Sequence, residues 1–346
     1  MINTAFLGDI ALTTPLFGLL HEAGWLVDAL VIPGTAPLLA GSPHLNQVIA
    51  YDKRANPGLR KLMSLGRSLR GQYDAVLVPH RSARSAFLAW LTKAPLRISY
   101  RPPRRPHKPP FDNRHLQPSF SGLRFLFNRK VEFVLARQEL MRLCDLAKPL
   151  GITVPDRLPA KEYLFVSEEA KQRIEEKLKG LPRPLIVIFP GSVWPSKHYP
   201  EAAFAKVVEQ LTSERELGIV FSGSRVEEEL CTRLAEQFPT SRVLVNLKLA
   251  ELTALIAAAD VVVGNDSAPL HMAGLLRSPV VGLYGPTYPF FGFRTQSGAA
   301  HRLLWNEDLD CRPCRWRPPK DCPLEHHRCM KELSPERVAE AVLELL

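Results

Sequence analysis

The chain has 346 residues, 46% of them hydrophobic and 23% charged, with a formal net charge of +10. This length and apolar content suit two ordinary domains or one large one, and no apolar run approaches the roughly 18–20 residues of a membrane-spanning helix. The first Lys or Arg is Lys53 and Asp9 interrupts the apolar start; this makes a poor signal peptide, and cytoplasmic residence is the expectation.

The charge is one-sided. Residues 1–155 hold 21 Lys and Arg against 9 Asp and Glu, whereas the remainder holds 24 against 26. The excess is densest in YRPPRRPHKPPFDNRH, residues 100–115. Such a surface attracts phosphates on nucleic acid, anionic lipid or a charged saccharide. A merely solvated basic face is the alternative.

In chain order, INTAFLG reads as a strand, TTPLFGLLHEAG as a helix ending at Gly24, and LVDALVI as a strand stopped by Pro33-Gly34. NQVIAYD and YDAVLVPH read as strands with the helical GLRKLMSLGRSLRG between them. The Pro-rich residues 102–118 predict a long exposed loop, and a helix is expected over residues 130–150. Turn-rich residues then mark a linker, and the rhythm restarts with the buried strand PLIVIFPG. The expected organisation is a domain over 1–155, a linker over 156–180, a second domain over 181–333 and a terminal helix over 334–346. In that helix Val338, Val342 and Leu345 are spaced to pack on a neighbour. Strands separated by helices argue for parallel sheets with right-handed crossovers, hence an α/β fold of two Rossmann-like domains facing across a cleft.

Ligands of open α/β sheets sit beyond the carboxyl ends of the strands. Three loops have that position. FLGDIALTTP places Gly8 and Asp9 after the first strand, with Thr13 at the helix entry. Asp9 can accept a proton from a bound hydroxyl, or simply cap the helix. FPGSVWPSKHYP offers Gly191, Ser192 and Lys197 beside a helix start, a phosphate cradle without the spacing of a Walker loop. GNDSAPLH sets Asp266 and Ser267 at a helix N-terminus with His271 inside it, and YGPT adds Thr287 at the next strand end. Unpaired N–H groups and the helix dipole there suit a diphosphate or a pair of sugar hydroxyls. A capping Asp266 and a core His271 are the plainer readings.

Cys311, Cys314, Cys322 and Cys329, with His326 and His327 between, have metal-like spacing and form a candidate structural zinc site. Unpaired thiols are the alternative, since disulfides are unexpected in a reducing compartment. Cys144 and Cys231 fall in helical patterns and read as core.

FLGDIALTTPL, PGSVWPSKHYP, NDSAPLHMAG and YGPT resemble, in order and spacing, the motifs of glycosyltransferase family 9, the ADP-heptose:lipopolysaccharide heptosyltransferases. The Cys-containing CRPCRWRPPKDCPLEHHRCMKELSPERV is similar to the tail of the heptosyltransferase II branch. The resemblance implies a GT-B architecture, ADP-heptose as donor and the lipopolysaccharide inner core as acceptor. It implies Asp9 as general base, Lys197 facing the leaving diphosphate, Asp266 holding the heptose or the helix start, and Ser192 and Thr287 lining the phosphates. Ser267 and His271 belong to the same donor motif, in which Ala268 stands where the family commonly has Gly.

The resemblance also gives the basic half a purpose, as an acceptor domain on the inner leaflet of the membrane. Thr13, Arg81, Arg84, Arg101, Arg104 and Arg105 are the candidate acceptor contacts, and Phe111, Phe120, Phe125 and Phe127 flank the loop expected to lie on the bilayer. No catalytic cofactor is implied, no nucleic-acid-binding pattern is present, and a monomer peripheral to the inner membrane is expected. The competing classes are another nucleotide-sugar enzyme of the same fold, such as a hydrolysing epimerase, and a two-domain solute-binding protein.

Overall fold

The computed structural model describes residues 1–53, 55, 58–102, 122–134, 137–289, 300–314 and 319–346. The chain divides into two compact units, Met1–Leu158 and Pro159–Leu346.

The first unit runs α1 (Leu7–Ala11), α2 (Thr14–Glu22), β1 (Asp28–Val31), β2 (Gln47–Ala50), α3 (Leu59–Ser68), β3 (Ala75–Leu77), α4 (Ala83–Leu91), β4 (Leu96–Arg101), β5 (Arg129–Glu132) and α5 (Glu139–Asp145). Strand β1 pairs with β2, and β4 with both β3 and β5, all in parallel. Residues 1–3 join the two groups. Ile2 bridges Leu30 in parallel, its N–H donates to Leu77 O at 3.0 Å, and the Asn3 N–H donates to Leu30 O at 2.9 Å. The first segment of the chain therefore lies in the middle of the row. Ile2, Leu30, Val76 and Val78 form the core with Leu62 of α3 and Leu88 of α4.

Two elements differ from expectation. The strand expected over residues 2–8 stops at Asn3, because Asp9 Oδ2 accepts the Phe6 N–H at 3.3 Å and turns the chain into α1. Gly8 and Asp9 thus lie in the first turns of a short helix. The single helix expected over residues 130–150 is instead β5, α5 and a 3-10 turn at Lys148–Leu150. Strand β4 offers open backbone groups at its edge, and residues 129–132 satisfy them in register with residues 98–101.

The second unit contains α6 (Glu168–Leu178), β6 (Leu185–Phe189), α7 (Glu201–Glu214), β7 (Gly218–Gly223), α8 (Glu228–Ala235), β8 (Ser241–Val245), α9 (Leu249–Ala258), β9 (Val261–Asn265), α10 (Ala268–Leu276), β10 (Val280–Leu283), β11 (His301–Leu304), α11 (Arg328–Lys331) and α12 (Pro335–Leu343). Helix α6 falls inside the stretch expected as a linker and packs against α9. Helix α12 packs on α7, with Val338 and Val342 in the core. The sheet is parallel throughout, in the order β11-β10-β9-β6-β7-β8. The winding goes outward from β6 to β8, returns beside β6 with β9, and proceeds the other way. Two neighbouring strands, β6 and β9, thus send their following loops to opposite sides, which opens a crevice at their carboxyl ends.

Close packing brings α10 to that crevice. Gly264 of β9 lies opposite Gly282 of β10. A Cβ on Gly264 would stand 2.8 Å from Phe189 O and 3.1 Å from Leu270 Cδ1, and one on Gly282 would stand 2.9 Å from Leu270 Cδ2. Leu270 of α10 therefore rests on bare backbone. Gly264→Ala is expected to cost about 1–3 kcal/mol through overpacking, a fall in Tm of about 2–4 °C per kcal/mol. Thermal unfolding checks this, and an unchanged Tm would mean that α10 has room to retreat.

Candidate active site

Three loops of the second unit converge at the switch point between β6 and β9. The first follows β6 and contains Gly191, Ser192 and a 3-10 turn, Pro195–Lys197. The second is the end of β9, Asn265 and Asp266, leading into α10. The third follows β10 and contains Thr287.

Their centre is a buried ion pair. Lys197 Nζ lies 2.5 Å from Asp266 Oδ2, with side-chain exposures of 10% and 5%, and it also donates to the Asp266 carbonyl at 3.2 Å. Thr287 Oγ1 donates to the same Oδ2 at 2.9 Å. His271 Nε2, one turn into α10, stands 3.9 Å from Oδ1. Burial by itself would raise the pKa of Asp266. Lys197, then His271, then the hydrogen bonds from Lys197 and Thr287 outweigh it and hold the carboxyl below the ordinary carboxylate range.

The structure thus brings Lys197, Asp266, His271 and Thr287 together. Ser267, not Asp266, takes the N-cap position of α10, with extended backbone and no side-chain capping bond. Its buried hydroxyl has no hydrogen-bond partner among the described residues. The α10 N-terminus is consequently uncapped beside the ion pair, an arrangement that favours an anion. Ser192 is half-buried in the loop after β6. His198 Nε2 lies 3.2 Å from the Ser192 backbone N and 2.7 Å from its O.

Three further residues shape the site. Asn265 is fully buried. Its Oδ1 accepts the Tyr199 N–H at 3.0 Å and its Nδ2 donates to Pro190 O at 2.7 Å, so one amide ties β9 to both ends of the loop after β6. Its place next to Asp266 in the sequence was the available signal. Glu227, after β7, packs against Gly191, where a Cβ would lie 2.2 Å from Glu227 Cγ; its carboxylate accepts from the Ser224 N–H at 2.7 Å. Arg312 is buried behind the loop after β10 and donates to Thr287 O at 2.9 Å. Nothing in the Cys-rich tail signalled it.

In the first unit, Asp9 is half-buried in α1, beyond the central segment, accepting the Phe6 N–H. Thr13 is fully buried, donating to Asp9 O at 2.7 Å and accepting from Asn3 Nδ2 at 3.0 Å. These two bonds make its hydroxyl a brace of α1. Arg81 and Arg84 flank the start of α4; Arg81 lies over the Phe133 ring at 5.7 Å, and Arg84 Nη2 donates to the Tyr51 hydroxyl at 3.3 Å. Lys53 reaches Thr4 O at 2.7 Å. Arg101 pairs with Glu132 at 2.7 Å across exposed strand edges, a contact worth little in water. Phe127 turns into the core, while Phe125 is 69% exposed. Arg104, Arg105, Phe111 and Phe120 lie outside the described residues.

No disulfide joins the described cysteines. Among the described residues no group of three or more His, Cys, Asp or Glu side chains is placed to hold a metal ion. Cys329 is buried, its thiol pushed up to about 11 chiefly by that burial.

Lys197→Met would leave a buried carboxylate unpaired and Asp266→Asn a buried ammonium, so each is expected to cost about 3–5 kcal/mol. The double variant is expected to lose clearly less than the sum in denaturant unfolding; additive losses would refute the coupling. The pH dependence has a fixed sign. A depressed carboxyl pKa contributes stability above the unfolded-state value, here 3.8, and loses it as the pH falls through the folded-state value. The stability gap between wild type and Asp266→Asn should therefore be full at neutral pH and narrow below about pH 4.

The family model of glycosyltransferase family 9 (heptosyltransferase) matches residues 62–321. Lipooligosaccharide heptosyltransferase 2 of Campylobacter jejuni subsp. jejuni serotype O:6 is 32% identical over 162 residues, 45% of this chain, and the match spans about half of that relative's length, 49%. Lipooligosaccharide heptosyltransferase 2 of Haemophilus ducreyi is 27% identical over an alignment that takes in 100% of this chain and 98% of that protein. The solved structure of the Escherichia coli ADP-heptose lps heptosyltransferase II superposes with a TM-score of 0.76 at 25% identity, covering 99% of this chain and 97% of that one. With two parallel α/β units and the motif residues gathered at the strand ends, this chain belongs to glycosyltransferase family 9 and has its GT-B fold.

Proposed function

We propose that the protein transfers a heptose from ADP-heptose to the inner core of lipopolysaccharide with inversion at the anomeric carbon. The observation that carries this reading is the buried Lys197–Asp266 pair beside the uncapped N-terminus of α10, in a chain whose family and relatives are heptosyltransferases. In this reading the diphosphate lies over the α10 N-terminus, with Lys197 and the loop of Ser192 beside it. Glu227, beyond the second strand of its sheet, accepts from the ribose hydroxyls as acidic residues there do in Rossmann folds. Thr287 and His271 keep Asp266 in place for the sugar.

Asp9 acts as the general base. It takes the proton of the acceptor hydroxyl, the oxygen bonds to the anomeric carbon, and the bond from that carbon to the diphosphate breaks. The electron pair leaves on ADP, where Lys197 meets the added charge. The route calls on no metal or cofactor, because Asp9 handles the proton and Lys197 the leaving charge.

The first unit supplies the acceptor side and the membrane contact. Residues 53–131 hold 18 Lys and Arg against 2 Asp and Glu. Helices α3 and α4 and the 3-10 helix Gly122–Leu126 pack side by side and expose Leu59, Trp90 and Phe125 among Arg60, Lys61, Arg67 and Arg124. Apolar side chains ringed by cations suit an anionic lipid surface. No helix among the described residues is long and apolar enough to cross a membrane. In this reading the protein works as a monomer on the cytoplasmic face of the inner membrane, with Arg81 and Arg84 reaching the anionic groups of the acceptor.

Acceptor-dependent release of ADP from ADP-heptose tests the reaction. Asp9→Asn, which can still accept the Phe6 N–H, is expected to lower kcat by about 10²–10⁴ with ADP affinity unchanged. Full activity in that variant would reduce Asp9 to a helix cap. Release from UDP-sugars instead would point to a different nucleotide-sugar enzyme. For the membrane, the wild-type protein should co-float with anionic vesicles and not with neutral ones. Replacing Arg60, Lys61 and Arg124 together by Glu should weaken partitioning at least about 100-fold, at ~1 kcal/mol per lost cation. Equal flotation would rule out this face.

A further inference from the structure

The tail after β11 folds back behind the loop that follows β10. The Cys314 N–H donates to Pro286 O at 2.9 Å. Gly285 is pressed so closely that a Cβ would stand 2.5 Å from Met330 Sδ and 3.4 Å from Cys329 Sγ. Between them lies Arg312, 6% exposed. Its Nε donates to Gly285 O at 2.5 Å, Nη1 to Asn306 O at 2.7 Å, and Nη2 to Thr287 O at 2.9 Å and Tyr284 O at 3.2 Å. Its guanidinium also lies 4.9 Å from the centre of the Tyr288 ring.

Four of the five N–H donors of Arg312 therefore go to neutral carbonyls, three of them on the loop after β10. The loop is gripped from behind by a rigid planar fork that lysine cannot reproduce. The charge is not consumed by a carboxylate in these bonds. It stands one residue's thickness behind Thr287, whose hydroxyl donates to Asp266, the partner of Lys197.

We propose that Arg312 is a positioning residue of the donor site: it fixes residues 285–287 so that Thr287 and Lys197 share Asp266, and it sets a positive charge behind the place of the diphosphate. The proposal rests on the nucleotide-sugar reading given above. It assigns the tail a task that its cysteine spacing conceals, the bracing of a ligand loop.

The test compares binding of ADP and of adenosine to wild type, Arg312→Lys, Thr287→Val and the double variant, with thermal unfolding of each. Wild type should bind ADP; if it does not, the nucleotide-sugar reading itself fails. Given ADP binding, Arg312→Lys should weaken ADP by about tenfold, the scale of a lost charge-assisted contact, and leave adenosine unchanged, since adenosine lacks the diphosphate. A merely structural role would weaken both ligands in step, and wild-type ADP affinity in Arg312→Lys would equally overturn the proposal. Thr287→Val keeps the test open should the arginine variant fail to fold. It should weaken ADP selectively, and full ADP affinity there would refute the route through Thr287. In the double variant the losses should fall short of the product of the single ones; independent losses would show that Arg312 does not act through Thr287.

Discussion

The second unit is organised around a charge pair held out of water. Lys197 and Asp266 are 69 residues apart in sequence, and removing two charges from water costs more than most contacts return unless their remaining hydrogen-bonding capacity is filled. Here Thr287 donates to Asp266 Oδ2 and Lys197 also donates to the Asp266 carbonyl, and Asn265 ties the end of β9 to the loop after β6. Such a pair contributes little stability relative to apolar packing. What it contributes is placement, because Lys197, Asp266 and Thr287 come from three different loops and their bonds hold those loops together.

That arrangement is possible because the sheet was wound in two directions from β6. The same order recurs in the first unit, with residues 1–3 in the central place of β6. In both units a candidate site loop follows that first segment, the turn holding Asp9 in one and the Gly191–Ser192 turn in the other. The two units differ in charge, not in topology. The first carries the basic excess of the chain and the second is close to neutral, which in the proposed reading suits an extended anionic acceptor on one and a single small donor on the other.

Much of this was legible in the sequence. Alternating apolar runs and helices of the second half indicated its parallel sheet, though not the strand order, and the Gly-Ser, Asn-Asp-Ser and Gly-Pro-Thr turns marked the carboxyl ends of its strands. The first half was harder. INTAFLG is apolar enough for a strand, but one carboxylate, Asp9, bonding back to Phe6, ends it after Asn3. Thr13 looked available and is buried. Residues 130–132 read as helix and pair with an open edge, a tertiary choice that local propensity does not record. Arg312 escaped for a sharper reason: its partners are backbone carbonyls, which every residue type possesses, so no spacing of side chains announces it. The cysteines around it drew attention to metal chemistry instead.

The proposed donor site is consequently built before any ligand arrives. Lys197 is already aligned by a carboxylate, the α10 N-terminus is already uncapped, and the loop after β10 is held from behind by three hydrogen bonds from the Arg312 guanidinium. Groups arranged in advance lose little entropy when they meet a diphosphate, and a site that need not reorganise as charge develops stabilises the transition state more than the ground state. Gly264, Gly282 and Gly285 are the steric condition for this. Each lies where a side chain would strike a neighbour, and together they let a helix and a tail approach the strand ends closely enough to fix the loops between them.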